Sequence, residues 1–187
     1  MVEALVENGA DVNKANNDGN TPLHYLARCL AESEENKQIQ MRVIRKMVEV
    51  GANVDAQNYL GETPLHIACF LGNKIVTRIL LEAFAEPNAI TKQGETCLHY
   101  SVQAAQEEIT VLLLEFGANP YVSCCGENPI DYAHKFHLPK IAECLLTVRV
   151  SRRDTVTQRE RKTAAKTEDS SKKRISTMLF RSKISKT

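Results

Sequence analysis

The chain has 187 residues, about one domain, and its 43% hydrophobic and 25% charged residues are ordinary for a globular protein. No apolar run approaches the roughly 18 residues that span a bilayer, which excludes a transmembrane segment, and six cysteines are too few for a disulfide framework. Residues 1–146 carry 11 Lys and Arg against 19 Asp and Glu, whereas residues 147–187 carry 13 against 4. An acidic body thus precedes a basic tail, which predicts an anionic partner for the tail or a contact between tail and body.

Four predicted helix starts follow one another along the acidic body, and they share one sequence pattern. The four are Thr21-Pro22-Leu23-His24, Thr63-Pro64-Leu65-His66, Thr96-Cys97-Leu98-His99 and Asn128-Pro129-Ile130-Asp131, spaced 42, 33 and 32 residues apart. A glycine lies two positions before each start, and a second series has the same period: Gly9-Ala10, Gly51-Ala52, Phe84-Ala85 and Gly117-Ala118. Three marker series in register indicate an internal repeat of helix pairs.

Each marker has a physical reason. Thr and Asn cap helix N-termini, Pro suits the first helical position, and a His or Asp at the third is expected to hydrogen-bond back to the cap. The upstream glycines supply a turn, and the Gly-Ala pairs are expected to end second helices through a left-handed residue. Phe84 occupies such a position, where a bulky residue is strained, so we expect an altered helix end there.

The first spacing is nine residues longer than the second. The segment Ala31–Gln40, which holds the excess, lies between the two helices of the first unit and is polar and acidic. We expect a solvent-exposed extension that lengthens one or both helices. A tolerated insertion and a dedicated binding element are both consistent with it.

The motif Thr63-Pro64-Leu65-His66-Ile67-Ala68 and the period of about 33 residues resemble the ankyrin repeat family. The resemblance covers about residues 1–147 and implies an all-α ankyrin-repeat solenoid of helix–turn–helix units with hairpin-like turns. A half repeat at 1–15 would precede repeats at about 16–57, 58–90, 91–122 and 123–147. Because the half repeat leaves apolar residues without a partner helix, we expect the chain to be a fragment of a longer protein.

Residues 148–187 are expected to form a disordered basic tail or linker, because their composition buries too little apolar surface. Two basic clusters are spaced as in a bipartite nuclear-import signal: Arg159, Arg161 and Lys162, and Lys172, Lys173 and Arg174. Thr155 and Ser176 follow basic residues, as in sites of basic-directed kinases, and residues 175–184 are compatible with a basic amphipathic helix. The alternative is a solvated tail or linker. We expect a cytoplasmic or nuclear location and contact of the tail with an anionic surface.

The sequence predicts no enzymatic activity, cofactor or metal site. His24, His66 and His99 share one repeat position, which indicates a structural role, and Cys124-Cys125 lacks the spacing of a zinc site. The other cysteines on or beside helices are expected to be small core residues: Cys29, Cys69, Cys97 and Cys144. Phosphate-binding glycine loops and nucleophile-elbow motifs are absent from the sequence.

Asn13 is the one candidate for modification in the repeat array. Leu5, five further residues and Asp11-Val12-Asn13 resemble the pattern hydroxylated on asparagine in ankyrin repeats. An unmodified turn asparagine is the alternative.

In ankyrin-like proteins the hairpin tips and the exposed sides of the first helices contact the partner on the concave face. Position by position, the resemblance implies these partner-binding residues: Tyr59, Leu60, Glu62, Phe70, Leu71, Lys92, Gln93, Glu95, Gln103, Cys124, Cys125, Glu127, Lys135 and Phe136. Four apolar members lie in the middle unit, beside an acidic row of Glu62, Glu95 and Glu127, which predicts a partner that is apolar at its centre with basic neighbours. The alternative is that Phe70 and Leu71 pack partly against a neighbouring helix.

One further helix position, shared by Tyr25, Ile67, Tyr100 and Tyr132, is expected to pack between repeats. The function these features favour is a non-enzymatic protein–protein interaction module with a protein partner and without direct nucleic-acid readout. The alternative is the regulatory ankyrin segment of a larger signalling enzyme or channel.

Overall fold

A computed structural model describes residues 8–147 of the chain. This part contains eight helices, with no strands beyond two isolated bridges. In chain order they are α1 (Pro22–Arg28), α2 (Glu34–Glu49), α3 (Pro64–Phe70), α4 (Lys74–Glu82), α5 (Cys97–Gln103), α6 (Glu107–Glu115), α7 (Pro129–Lys135) and α8 (Pro139–Thr147). The predicted features of the tail, including both basic clusters, Thr155 and Ser176, lie outside the described residues.

The helices form four antiparallel pairs stacked in two layers. The first helices of successive units, α1, α3, α5 and α7, pack against one another, and so do the second helices α2, α4, α6 and α8. The core between the layers consists mainly of Leu, Ile, Val and Ala side chains from all four units. Each unit therefore buries its apolar face chiefly against its neighbours, as expected for a solenoid.

The first helices begin at the predicted capping residues. The backbone N–H groups of Thr21, Thr63 and Thr96 donate to Nδ1 of His24, His66 and His99 at 3.0, 3.2 and 3.0 Å. In the fourth unit the N–H of Asn128 donates to Asp131 at 2.9 Å instead. The predicted bond from the third helical position back to the cap is confirmed in all four units.

The second helices end as predicted, with one correction at Phe84. Gly51 and Gly117 have φ of 92° and 86°, and Phe84 adopts the same left-handed region at 63°. The N–H groups of Phe84 and Ala85 donate to Leu81 and Leu80 at 3.0 and 2.9 Å, as in the glycine-ended helices. The expectation of an altered helix end was wrong, because the two hydrogen bonds of this C-cap hold the backbone in place. Phe84 bears the strain instead.

The polar insertion extends α2 to 16 residues, against 9 in each other second helix. This confirms that the insertion lengthens a helix, and most of its side chains are exposed. Gln40, inside the insertion, is buried and donates to the carbonyls of Leu26 and Cys29 at 2.9 and 2.6 Å. Asn73 donates to the Cys29 carbonyl as well, at 2.8 Å. Side chains thus satisfy the carbonyls at the end of α1, where the insertion replaces the left-handed C-cap of the other first helices.

Two expectations about single side chains were wrong. Tyr25 is 50% exposed, whereas Ile67 is buried and Tyr100 and Tyr132 are half-buried. Tyr100 and Tyr132 contact the histidine of the preceding unit, and the described residues contain no first helix before α1 for Tyr25 to pack against. Cys29, expected in the core, is exposed because it lies at the end of α1 where the insertion begins.

Candidate partner-binding face

The hairpin tips are closed by paired backbone hydrogen bonds. We define tip 1 as residues 16–20, tip 2 as 58–62, tip 3 as 91–95 and tip 4 as 124–127. In tip 2 the N–H of Asn58 donates to Glu62 and that of Gly61 donates to Asn58, both at 2.9 Å, and tips 1 and 3 repeat this pattern. The predicted turn glycines have positive φ of 80° to 88°.

Successive tips are joined to one another. The N–H of Tyr59 donates to the Asp18 carbonyl at 3.0 Å, and the N–H of Lys92 donates to the Leu60 carbonyl at 3.0 Å. These carbonyls belong to the residues just before the turn glycines. Because the tips approach so closely, a Cβ on Gly61 would lie 2.6 Å from the Lys92 nitrogen. The tips form one continuous edge of the array.

Tip 4 is one residue shorter, and this corrects one predicted contact residue. Cys124 and Glu127 exchange backbone hydrogen bonds of 2.8 and 3.0 Å, which leaves a two-residue turn of Cys125 and Gly126. Cys124 therefore corresponds to Asn58, at the base of the hairpin, and is only 4% exposed. The prediction that Cys124 is an exposed tip residue was wrong, whereas Cys125 is exposed.

The second of the four units presents three exposed apolar side chains. Tyr59 and Leu60 at tip 2 are 65% and 57% exposed, and Phe70 at the end of α3 is 48% exposed. The Phe70 ring contacts that of Tyr100 in the next unit edge to face. Leu71 is half-buried and packs against the core, so the packing alternative holds for Leu71 more than for Phe70. We call Tyr59, Leu60 and Phe70 the apolar cluster.

The acidic row is held in place by neighbouring side chains. Glu62 accepts hydrogen bonds from Asn58 Nδ2 at 2.8 Å and from the Tyr100 hydroxyl at 3.0 Å. Glu95 accepts from Gln103 Nε2 at 2.8 Å. Burial, together with the Glu62 carboxylate, raises the pKa of Tyr100. Both carboxylates are thus held in place by uncharged side chains.

Glu127 differs from the rest of the row because a cation neutralises it. Lys135 Nζ lies 2.8 Å from its carboxylate, which raises the pKa of Lys135. The same Nζ lies 5.6 Å from the centre of the Tyr132 ring, and Tyr132 contacts the half-exposed Phe136 edge to face. The fourth unit therefore carries a second aromatic group; the sequence analysis named Phe136 as a contact residue but did not predict its pairing with Tyr132. The spacing of four residues between Tyr132 and Phe136 could have indicated this pairing, because residues four apart lie on the same side of a helix.

The other predicted contact residues are accessible. Lys92 and Gln93 at tip 3 and Gln103 at the end of α5 are exposed. With the apolar cluster, the three glutamates, Cys125, Lys135 and Phe136, they form what we call the inner face, made of the tips and the exposed sides of the first helices.

Asn13 makes two bonds to the next unit. Its Nδ2 donates to the Gly51 carbonyl at 3.1 Å, and its Oδ1 accepts from the Asn53 N–H at 2.7 Å. Asn88 makes the same pair of bonds with Gly117 and Asn119, at 3.1 and 2.7 Å. The repetition assigns this position a structural role that sequence reasoning missed.

The three repeat-position histidines, His24, His66 and His99, are buried, and each holds the start of its helix by a hydrogen bond to the cap. Nδ1 of His24 accepts an N–H, so Nε2 carries the proton and donates to the Glu62 carbonyl at 3.1 Å. Burial lowers the pKa of all three repeat-position histidines, that of His66 to about 4. Within residues 8–147 no three His, Cys, Asp or Glu side chains are grouped to hold a metal ion. None of the helices in this range could cross a membrane.

Two family models match the chain. Residues 33–123 match a model of ankyrin repeats in three copies, and residues 1–33 match a model of ankyrin repeats in many copies. No curated protein sequence matches. The chain belongs to the ankyrin repeat family, and its fourth helix pair continues the same architecture beyond the matched residues. Ankyrin repeats are generally protein–protein interaction modules, and the family is typically non-enzymatic.

Proposed function

We propose that this chain is a non-enzymatic interaction module that binds a protein partner on the inner face, the concave side of an ankyrin array. The observation that carries the proposal is the apolar cluster: Tyr59, Leu60 and Phe70 belong to one unit, and each is about half exposed or more. Exposed apolar groups that lie together on a soluble domain mark interaction sites, and aromatic residues are frequent binding hot spots.

The charges beside the cluster define the partner's chemistry. Glu62 accepts a hydrogen bond from Tyr100, whose ring contacts Phe70, and the side chains that hold Glu62 and Glu95 are uncharged, whereas Glu127 forms an ion pair with Lys135. A partner with an apolar centre would therefore place a Lys or Arg against Glu62 or Glu95 rather than against Glu127. Such a contact contributes more to association rate and specificity than to affinity, because both carboxylates lie near solvent.

Photocrosslinking tests the location of the face. Benzoylphenylalanine is introduced at Phe70 in the full chain, and in a matched variant at Phe84, an aromatic of similar exposure at the end of a second helix. The proposal predicts discrete protein adducts from position 70 that position 84 does not form. Equal capture at both positions, or none at position 70 above irradiated wild-type protein, would contradict it.

A further inference from the structure

Two thiols meet at tip 4. Cys124 and Cys125 are adjacent in sequence, and their sulfurs lie 3.9 Å apart. Cys125 is exposed and has a left-handed backbone with φ of 53°, followed by Gly126 at 88°. Cys124 lies behind it, buried at the base of the hairpin. Among the described residues this pair combines a reachable thiol with a protected one beside it.

The buried thiol also joins the last two tips. Between tips 1 and 2 and between tips 2 and 3, a backbone N–H donates to the carbonyl before the turn glycine. The equivalent carbonyl in tip 3, that of Gln93, accepts from Cys124 Sγ at 2.9 Å. A Cβ on Gly94 would meet only this sulfur, at 3.9 Å, so the two tips are farther apart than the preceding pairs. Because tip 4 is one residue shorter, a side chain makes the bond that the backbone makes elsewhere.

We propose that Cys124 and Cys125 form a redox modification site at which a peroxide produces a reversible disulfide, and that the disulfide releases tip 4 from tip 3. The inference does not depend on the proposed partner-binding function.

The chemistry is a two-electron oxidation by a hydroperoxide. The Cys125 sulfur, as thiolate, attacks a peroxide oxygen; the O–O bond breaks, and Cys125 becomes a sulfenic acid as water leaves. The Cys124 sulfur then attacks that of Cys125, the S–O bond breaks, and a second water leaves with the remaining proton. Both thiols are oxidised by two electrons in total, and hydrogen peroxide is reduced to two waters.

The order of the two steps follows from exposure. Burial, with the Cys125 thiol and the carboxylates of Glu95 and Glu127 adding to it, raises the pKa of Cys124 to about 11. Cys124 is therefore a poor first nucleophile, whereas Cys125 meets solvent directly. Once Cys125 is a sulfenic acid, Cys124 lies within 3.9 Å of the electrophilic sulfur, and proximity compensates for its low thiolate fraction.

Reversibility follows from the ring that the disulfide would close. Adjacent Cα atoms are about 3.8 Å apart, shorter than the roughly 4.4–6.8 Å of ordinary disulfides. A strained, exposed disulfide is readily reduced, which is typical of regulatory rather than structural bridges. Forming it removes the S–H that donates to Gln93, so tip 4 loses its hydrogen bond to tip 3.

The test is mass spectrometry of the full chain after treatment with hydrogen peroxide and trapping of free thiols. Cleavage after Glu115 and Glu127 releases residues 116–127, in which Cys124 and Cys125 are the only cysteines. We expect this peptide to lose two hydrogen atoms and to regain them with dithiothreitol. Cys125→Ser should abolish the loss, and Cys124→Ala should instead give Cys125 that carries added oxygen. Exposed Cys29 in the same sample is the matched single-thiol control.

Three outcomes overturn the proposal: oxygen addition on Cys125 of the wild-type chain while Cys124 remains a free thiol, a disulfide between two chains, or unchanged thiols at peroxide levels that oxidise Cys29. Hydrogen exchange tests the structural part. Oxidation should increase exchange of the Cys124 and Glu127 amides several-fold and leave the Lys92 amide unchanged. Equal protection at tip 4 before and after oxidation would show that the disulfide does not release it.

Discussion

Phe70 and Tyr100 lie edge to face across two successive repeats, with ring centroids 6.1 Å apart. The contact joins the apolar cluster to the next unit while Phe70 stays about half exposed. Phe70→Ala should therefore lower the free energy of unfolding by about 1–2 kcal/mol, less than the roughly 3–5 kcal/mol lost when a fully buried Phe is truncated. Urea unfolding of the full chain measures this. A loss of about 3–5 kcal/mol would show that Phe70 is packed inside the array, and the binding face would then lie elsewhere.

Phe84 occupies a position at which glycine is better suited. Its φ of 63° is strained for a residue with a side chain, and 55% of the residue is exposed. Phe84→Gly should raise the free energy of unfolding by about 0.5–1 kcal/mol, after allowance for the greater chain entropy of unfolded glycine.

The matched control is Gly51→Ala, at the same helix end in the first unit. Its φ is 92°, and an added Cβ would meet nothing within 4 Å, so the change isolates backbone strain. We expect a loss of about 1 kcal/mol. Stabilisation by Phe84→Gly together with destabilisation by Gly51→Ala in thermal melts would verify the cap geometry. A Phe84→Gly variant that unfolds at a lower temperature than wild type would refute it.

Gly61 and Gly94 have similar positive φ but different surroundings. A Cβ at Gly61 would lie 2.6 Å from the Lys92 nitrogen, whereas a Cβ at Gly94 would meet only Cys124 Sγ at 3.9 Å. Gly94→Ala should lower the free energy of unfolding by about 1 kcal/mol from backbone strain alone. Gly61→Ala should cost at least about twice that, because tips 2 and 3 must separate and weaken their hydrogen bond. Equal losses in thermal melts would mean that the tips do not approach as described.

His66 should make stability depend on pH. Its pKa is lowered to about 4 by burial, against about 6.5 in the unfolded chain, so the unfolded state binds more protons in this range. The contribution of neutral His66 to the free energy of unfolding is fully present above pH 6.5 and should be lost as the pH falls toward 4. Between pH 7.5 and 5 His66 should contribute a loss of about 2 kcal/mol.

Urea unfolding across this range checks the pH dependence, with His66→Gln as the comparison. The variant should be less stable at pH 7.5 but show a shallower slope between pH 7.5 and 5. An unchanged slope would show that His66 is protonated in the folded chain, or that its burial is incomplete.

Much of the fold could be predicted because the same local sequence pattern recurs in each of the four units. The capping Thr or Asn, the His or Asp three positions on, and the turn glycine each act within a few residues, so sequence alone locates the first helices and tips. The insertion was also predictable, since a polar segment between two helices can lengthen a helix without disturbing the core.

The rest depended on distances between units, which local patterns do not encode. A one-residue deletion in tip 4 can be assigned on either side of Cys124, and only the hairpin bonds to Glu127 show that Cys124 lies at its base. The two bonds made by Asn88 run to residues about 30 positions away. The burial of Tyr100 and Tyr132, against the exposure of Tyr25, depends on ring contacts with the histidine of the preceding unit, which the local sequence around each tyrosine does not encode.

The central claim is that the inner face binds the partner, and the affinity of the crosslinked partner for two variants tests it most directly. Calorimetric titration compares Phe70→Ala with Phe84→Ala, which truncate aromatics of similar exposure on and off the inner face. The account predicts that Phe70→Ala raises Kd by about 5- to 150-fold, equivalent to roughly 1–3 kcal/mol, while Phe84→Ala changes Kd less than about twofold. Equal effects, or a larger effect at Phe84, would contradict the assignment of the binding face.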